Sequence, residues 1–203
     1  MTPQTIADPA PAIPGIRGAI ADRFGSERGL VRLALATAEQ RVGLLKETRD
    51  INWARVERLV YVCQGNICRS AYAHVLSANE GVPVASFGLA TSADRPADTL
   101  AIERAHARGV SLDDHRATRV EDFAFQTGDL LIAMEPRQIR KLRAREDTAP
   151  QMRTLLGLYC KPRFAHLHDP YEQSPRYFDN CFSRIDRAVA RIHQLWQASR
   201  PSR

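Results

Sequence analysis

Leu59-Val60-Tyr61-Val62-Cys63-Gln64-Gly65-Asn66-Ile67-Cys68-Arg69-Ser70 is the stretch that decides how this chain of 203 residues folds. An apolar, β-prone run ends on a cysteine. After five intervening residues come an arginine, a serine and the helix-prone run Ala71-Tyr72-Ala73-His74-Val75-Leu76. A loop of that length between a strand and a helix N-terminus turns several backbone N–H groups toward one point, a nest for a tetrahedral dianion. Arg69 closes the nest with a planar fork able to hold two phosphate oxygens. Cys63 lies at its base, where helix dipole, amides and guanidinium all favour thiolate over thiol. Gly65 and Asn66 are residue types that tolerate the positive φ a tight loop requires. Ser70 can donate its hydroxyl hydrogen to the sulfur. A bare Cys-x5-Arg is too short to mean much, and a core cysteine beside an unrelated arginine is the bland alternative. The strand before it, the Gly-Asn within it and the helix after it favour phosphate binding by a reactive sulfur.

Working outward, the pattern predicts strands Leu59–Cys63, Val82–Phe87, Leu130–Met134 and Met152–Leu156. Between and after them it predicts helices Ser70–Asn79, Asp98–Arg108, Arg119–Phe123, Arg137–Arg145 and Tyr177–Gln197. In the last of these Phe178, Phe182, Ile185, Ala188, Val189, Ile192 and Leu195 form a stripe of helical period. Strands alternating with helices predict an α/β fold with a parallel sheet covered on both faces. Upstream, residues 1–18 are rich in Pro, Ala and Gly and read as a disordered tail. From Ser26 to Trp53, Leu30, Leu33, Ala34, Thr37, Val42 and Leu45 recur at helical spacing. This extension fits a helix packed on the domain or a homodimer contact. A docking element and a membrane-surface helix are the alternatives, and its mixed charges weigh against the membrane.

Hydrophobic residues make up 44% of the chain and charged residues 26%, ordinary for a globular protein. The net charge of +6 suits an anionic substrate but is spread along the sequence. No basic block with interleaved aromatics points to nucleic acid. The longest apolar run, around Leu130–Met134, is far below membrane-spanning length, and the first twenty residues lack a secretory pattern. Four cysteines at uneven spacing suggest neither a disulfide scaffold nor a zinc site, so a cytoplasmic, reducing location is expected.

The loop Val62–Ser70 resembles that of the low-molecular-weight protein tyrosine phosphatases, and the likeness continues in order through Val84-Ala85-Ser86-Phe87-Gly88, Arg95-Pro96-Ala97-Asp98, Asp114-His115-Arg116-Ala117, Asp129–Glu135 and Asp169-Pro170-Tyr171. It covers about Arg58 to Leu195. The resemblance implies a three-layer αβα domain over residues 58–203, with a four-stranded parallel sheet in the order 2-1-3-4. Residues 19–57 then form a helical extension outside the family pattern. It further implies hydrolysis of phosphotyrosine on a protein substrate, such as a bacterial tyrosine kinase. Cys63 is the expected nucleophile, Arg69 the phosphoryl clamp and Asp169 the general acid. Gln64, Gly65, Asn66, Ile67, Cys68 and Ser70 would surround the phosphate. Tyr171 would wall the substrate slot, and Asn66, Ser86 and His115 would support the loop.

Neither a metal nor a cofactor is called for, because loop amides and Arg69 supply the positive potential. Cys68 offers a reversible disulfide partner for Cys63 on oxidation. Cys160, Cys181 and His168 read as packing or incidental. The chain departs from the pattern at Ala71, commonly proline, and at Glu172, often a second tyrosine. Three rival functions can be stated. A thioredoxin-coupled arsenate reductase needs cysteines that are absent between Cys68 and Cys160. A protein-arginine phosphatase has threonine where Ile67 stands. A non-catalytic phosphopeptide-binding module would need neither nucleophile nor acid.

Overall fold

A computed structural model describes residues 15–200. Most of the segment read as a tail lies outside the described residues; a helix, α1 (Ile16–Phe24), begins just inside its end. Four parallel strands, β1 (Arg58–Cys63), β2 (Val84–Gly88), β3 (Asp129–Ala133) and β4 (Met152–Leu155), stand in the order β2-β1-β3-β4. Cys63 pairs with Gly88 at the carboxyl end of the sheet, and Val62 with Ala133. Central strands covered on both sides must be apolar throughout. Accordingly Leu59, Val60, Tyr61 and Val62 are all fully buried, as are Leu130, Leu131, Ile132 and Ala133 of β3, while Asp129 at its start is buried in an ion pair with Arg58 at 2.7 Å.

Alternate strand residues face two separate cores. Leu59, Tyr61, Leu130 and Ile132 pack under α3 (Arg69–Asn79), α4 (Thr99–His106) and α6 (Pro175–Ala198). Val60, Val62, Leu131 and Ala133 pack under Ile139 and Leu142 of α5 (Pro136–Arg143), with Ala36 and Leu45 of the extension. Each such burial is worth about 1.5–3 kcal/mol for a Val-, Leu- or Ile-sized side chain. The three-layer αβα architecture expected from the sequence is therefore the one found.

Three local readings need correction. The extension is two helices rather than one, α1 and α2 (Glu27–Arg41), followed by short turns at Lys46–Thr48 and Trp53–Arg55. Gly25, at φ +80°, ends the first helix, and the Ser26 hydroxyl caps the second by accepting the Gly29 N–H at 3.0 Å. The helix expected at Arg119–Phe123 is a single 3-10 turn, Val120–Asp122. There Phe123 and Phe125 are drawn onto Phe87, and that packing outweighs helix propensity. Finally, β3 and β2 end where the sheet ends, so Met134 starts a loop and Gly88 closes β2.

Candidate active site

Between β1 and α3 the loop turns on Asn66, whose φ of 52° puts it in the left-handed region; Gly65 has no such angle. Asparagine pays little there because its short amide can bond locally. Gly88 lets the loop approach β2, since a Cβ on it would sit 3.0 Å from the Gln64 carbonyl oxygen. Leu89 and Ala90 N–H groups then donate to the Cys63 and Gln64 carbonyls at 3.0 and 2.9 Å. Among the described residues, the N–H groups of Gly65, Ile67 and Cys68 donate to no other protein group. They are the donors an anion in this loop would take.

The polarity of the network under the loop can be derived. The Thr118 N–H can only donate, so the Asn66 amide atom facing it at 2.9 Å is Oδ1. Its Nδ2 therefore faces Ser70 Oγ at 2.8 Å and Ser86 Oγ at 2.9 Å, and donates to both. Having accepted there, Ser70 is left to direct its own hydrogen at Cys63 Sγ, 3.0 Å away. The Asn66 N–H donates to the same sulfur at 3.2 Å. His115 Nε2–H donates to the Asn66 carbonyl at 2.8 Å. The resemblance groups His115 with both Asn66 and Ser86, but the imidazole on Ser86 is that of His74, at 2.9 Å. Burial, then the neighbouring His115, holds His74 down at about 4. It is thus neutral and free to accept from Ser86.

Arg69 is fully buried and works as a fork. Its Nη1 donates to Glu135 Oε1 and to the Leu167 carbonyl, each at 2.7 Å, and its Nη2 donates to Asp169 Oδ2 at 2.5 Å. Among the described residues Nε has no hydrogen-bond partner. Burial opposes the Arg69 charge, yet Asp169, Glu135 and Cys63 together raise its proton affinity well above the usual value. Burial likewise opposes charge on Glu135, and Arg69, helped by His166 and Arg137, overrides it and holds that carboxyl at about 2. Cys68 moves the other way: burial, then Asp169 and Asp98, push its thiol well up. It stays protonated.

Cys63, Gln64, Gly65, Ile67, Cys68, Ala90, Arg95, Asp169 and Tyr171 line one cavity of about 160 Å³. Every residue expected around a phosphate and its ring is there except Asn66, Arg69 and Ser70, which are buried behind it. A family model for low molecular weight phosphotyrosine protein phosphatases matches residues 58–201. The chain belongs to that family. It is accordingly an enzyme of the protein-tyrosine-phosphatase class. It is similar to the low molecular weight protein-tyrosine-phosphatase Wzb of Salmonella typhi, 32% identical over 70% of this chain and 95% of the relative. The probable phosphatase EpsP of Ralstonia solanacearum is 30% identical over 66% of this chain and 92% of its own. Among solved structures, the tyrosine phosphatase AmsI of Erwinia amylovora superposes with a TM-score of 0.60 at 27% identity, covering 75% of this chain and 99% of that one. The arginine phosphatase YwlE of Geobacillus stearothermophilus shares the fold, at TM-score 0.61 and 21% identity, over 70% and 94%.

Against this family background, sequence reasoning missed Glu135, His74 and Arg95. Glu135 occupies the residue before α5, an N-cap position, but turns its carboxylate to Arg69 instead of capping. A carboxylate directly after a buried strand was the available signal. The Arg95 guanidinium stacks over the Tyr171 ring at 5.9 Å, steadying a side chain that is otherwise 40% exposed. Gln64 meets Lys141 Nζ at 3.5 Å on the rim. No described helix is long and apolar enough to cross a membrane.

Proposed function

We propose that this protein hydrolyses phosphotyrosine in protein substrates through a cysteinyl-phosphate intermediate. One observation carries the reading: Cys63 and Asp169, far apart in sequence, line one cavity whose back wall is the Arg69 fork. A phosphoryl group in that cavity would take the free loop N–H groups and the Nε–Nη2 edge of Arg69, competing with Asp169 for Nη2. Cys63 sulfur attacks phosphorus as the bond to the tyrosyl oxygen breaks, and the protonated Asp169 gives that oxygen its hydrogen. Water then attacks the phosphocysteine. Asp169 takes a proton from it, the P–S bond breaks, and the sulfur leaves with the Ser70 hydroxyl hydrogen directed at it.

Ile67 and Tyr171 give the slot apolar walls, which favours an aryl over a guanidinium phosphate. The kinase-like phosphoprotein substrate and the reducing, cytoplasmic setting belong to the same reading. The latter is supported by four buried, unpaired cysteines. Turnover of p-nitrophenyl phosphate in the presence of a chelator tests it. Cys63→Ser should lower the rate by about a thousandfold or more. Activity within tenfold of the parent would remove Cys63 as nucleophile. Phosphotyrosine peptides should turn over faster than phosphoarginine peptides, and the reverse order would assign the arginine-phosphatase reading.

A further inference from the structure

The family match begins at residue 58, and two relatives align over 92–95% of their own length but over only 66–70% of this chain. The helices before it are extra to the phosphatase domain, and they grip the segment that carries Asp169. The corner between α1 and α2 forms a socket for His168. A Cβ on Gly25 would fall 2.5 Å from His168 Cδ2, and one on Gly29 would fall 3.0 Å from Cγ. These two buried glycines make the room that the imidazole fills. Ser26 Oγ lies 3.2 Å from His168 Nε2. Buried Tyr177, whose ring packs against the same Gly25, donates its hydroxyl to the His168 carbonyl at 3.1 Å.

The far end of the segment is held by the same element. Asp22 of α1 accepts from the Ser174 hydroxyl at 3.3 Å and pairs with Arg176 at 3.0 Å. The α1 backbone is itself tied to α6, through the Asp22 carbonyl to Asn180 at 2.6 Å and the Arg23 carbonyl to Arg184 at 2.8 Å. The run from Asp169 to Gln173 is thus pinned immediately before and immediately after by one helical corner.

We propose that the N-terminal extension is a clamp for the general acid, with His168 and Ser26 as positioning residues for Asp169. The proposal rests on the acid role given to Asp169 above. It is tested in the full chain by kcat/KM for two aryl phosphates, p-nitrophenyl phosphate with a good leaving group and phenyl phosphate with a poor one. kcat/KM covers the steps up to transfer onto sulfur, and protonation matters there far more for the poor leaving group than for the good one. His168→Ala, on the domain side, and Ser26→Ala, on the extension side, should each lower kcat/KM for phenyl phosphate about tenfold, part of the 10²–10⁴ a general acid supplies. Loss on p-nitrophenyl phosphate should stay within about twofold, and inhibition by inorganic phosphate should be unchanged. His168→Gln should recover most of the phenyl phosphate rate. Equal losses on both substrates, or weaker phosphate inhibition in step with them, would reduce the contact to ordinary structural support and overturn the proposal. Asp169→Asn is the reference. If it too fails to discriminate between leaving groups, the acid assignment falls; if it discriminates and the clamp variants do not, only the clamp falls.

Discussion

The two sides of the cavity are built from opposite chemistry. Beneath the sulfur, Asn66, Ser70, Ser86, His74, His115 and Thr118 form a neutral network centred on Asn66, whose amide donates to both Ser70 and Ser86; the Ser70 branch ends on Cys63 and the Ser86 branch on His74. Behind the acid Asp169 stand Arg69, Glu135 and His166, a charged cluster in which Arg69 Nε and His166 Nε2 have no partner among the described residues. A satisfied neutral network has one low-energy arrangement and fixes shape. A charged cluster with an unused donor can exchange one anion for another at little cost. The loop must not move when phosphate enters, whereas Asp169 must surrender its arginine contact. Each side has the chemistry its task requires.

The severest way to break this contrast is Arg69→Lys. An ammonium keeps the charge but not the fork, so it cannot hold Glu135 with one edge and phosphate with the other. We expect kcat/KM for p-nitrophenyl phosphate to fall by about 10²–10³, the scale of one lost pre-positioned donor in a dry site. A lysine enzyme within tenfold of the parent would show that charge alone suffices and that the two-edge arrangement is irrelevant.

Asn66→Ala attacks the neutral side. It places a Cβ residue without an amide at φ 52° and removes two donors and an acceptor from buried Ser70 and Ser86 and half-buried Thr118. Loss of unfolding free energy should be about 2–4 kcal/mol, from unpaired buried groups and left-handed strain together. Asn66→Gly separates the two. It relieves the strain and leaves the donors missing, so urea unfolding should place it about 1 kcal/mol above Asn66→Ala and still below the parent. If glycine restores full stability, the network is decorative.

The same division explains what the sequence disclosed. The sulfur side is local: strand, loop and helix are contiguous, so Cys63 through Ser70 could be read from one twelve-residue stretch, with Ser86 and His115 added by resemblance. The sheet was equally legible, because strands buried on both faces announce themselves as apolar runs. The acid side joins the end of β3 and the approach to α6, and nothing in the spacing of Glu135, His166 and Asp169 says that both carboxylates meet Arg69 or that His166 faces Glu135. His168 was unreadable for a further reason. Its partner is a pair of glycines, visible only as the absence of side chains. In the extension the helical pattern was legible only from Ser26, the cap of α2; α1 escaped because its first residues share the Pro-, Ala- and Gly-rich composition of the tail.

Acid titration sharpens the contrast most gently. His74 and His115 on the neutral side and His166 and His168 on the charged side all sit below the usual imidazole value, in each case chiefly through burial, with His74 and His166 at about 4. The unfolded chain takes up these protons near 6.5 while the folded chain refuses them, so stability is complete above about 6.5 and is lost as the pH falls toward 4. Glu135, held at about 2 by Arg69 despite its burial, keeps its full contribution above about 4.5 and loses it only as the pH falls from there toward 2, so that window is left to the histidines. For His166, which is 5% exposed, the contribution should be about 2 kcal/mol. His166→Gln should therefore flatten the fall in urea midpoint between pH 6.5 and 4.5 while barely changing it at pH 8. A variant whose pH profile parallels the parent would mean the imidazole is already charged beside Glu135, and the acid side would then hold one more fixed charge than this account allows.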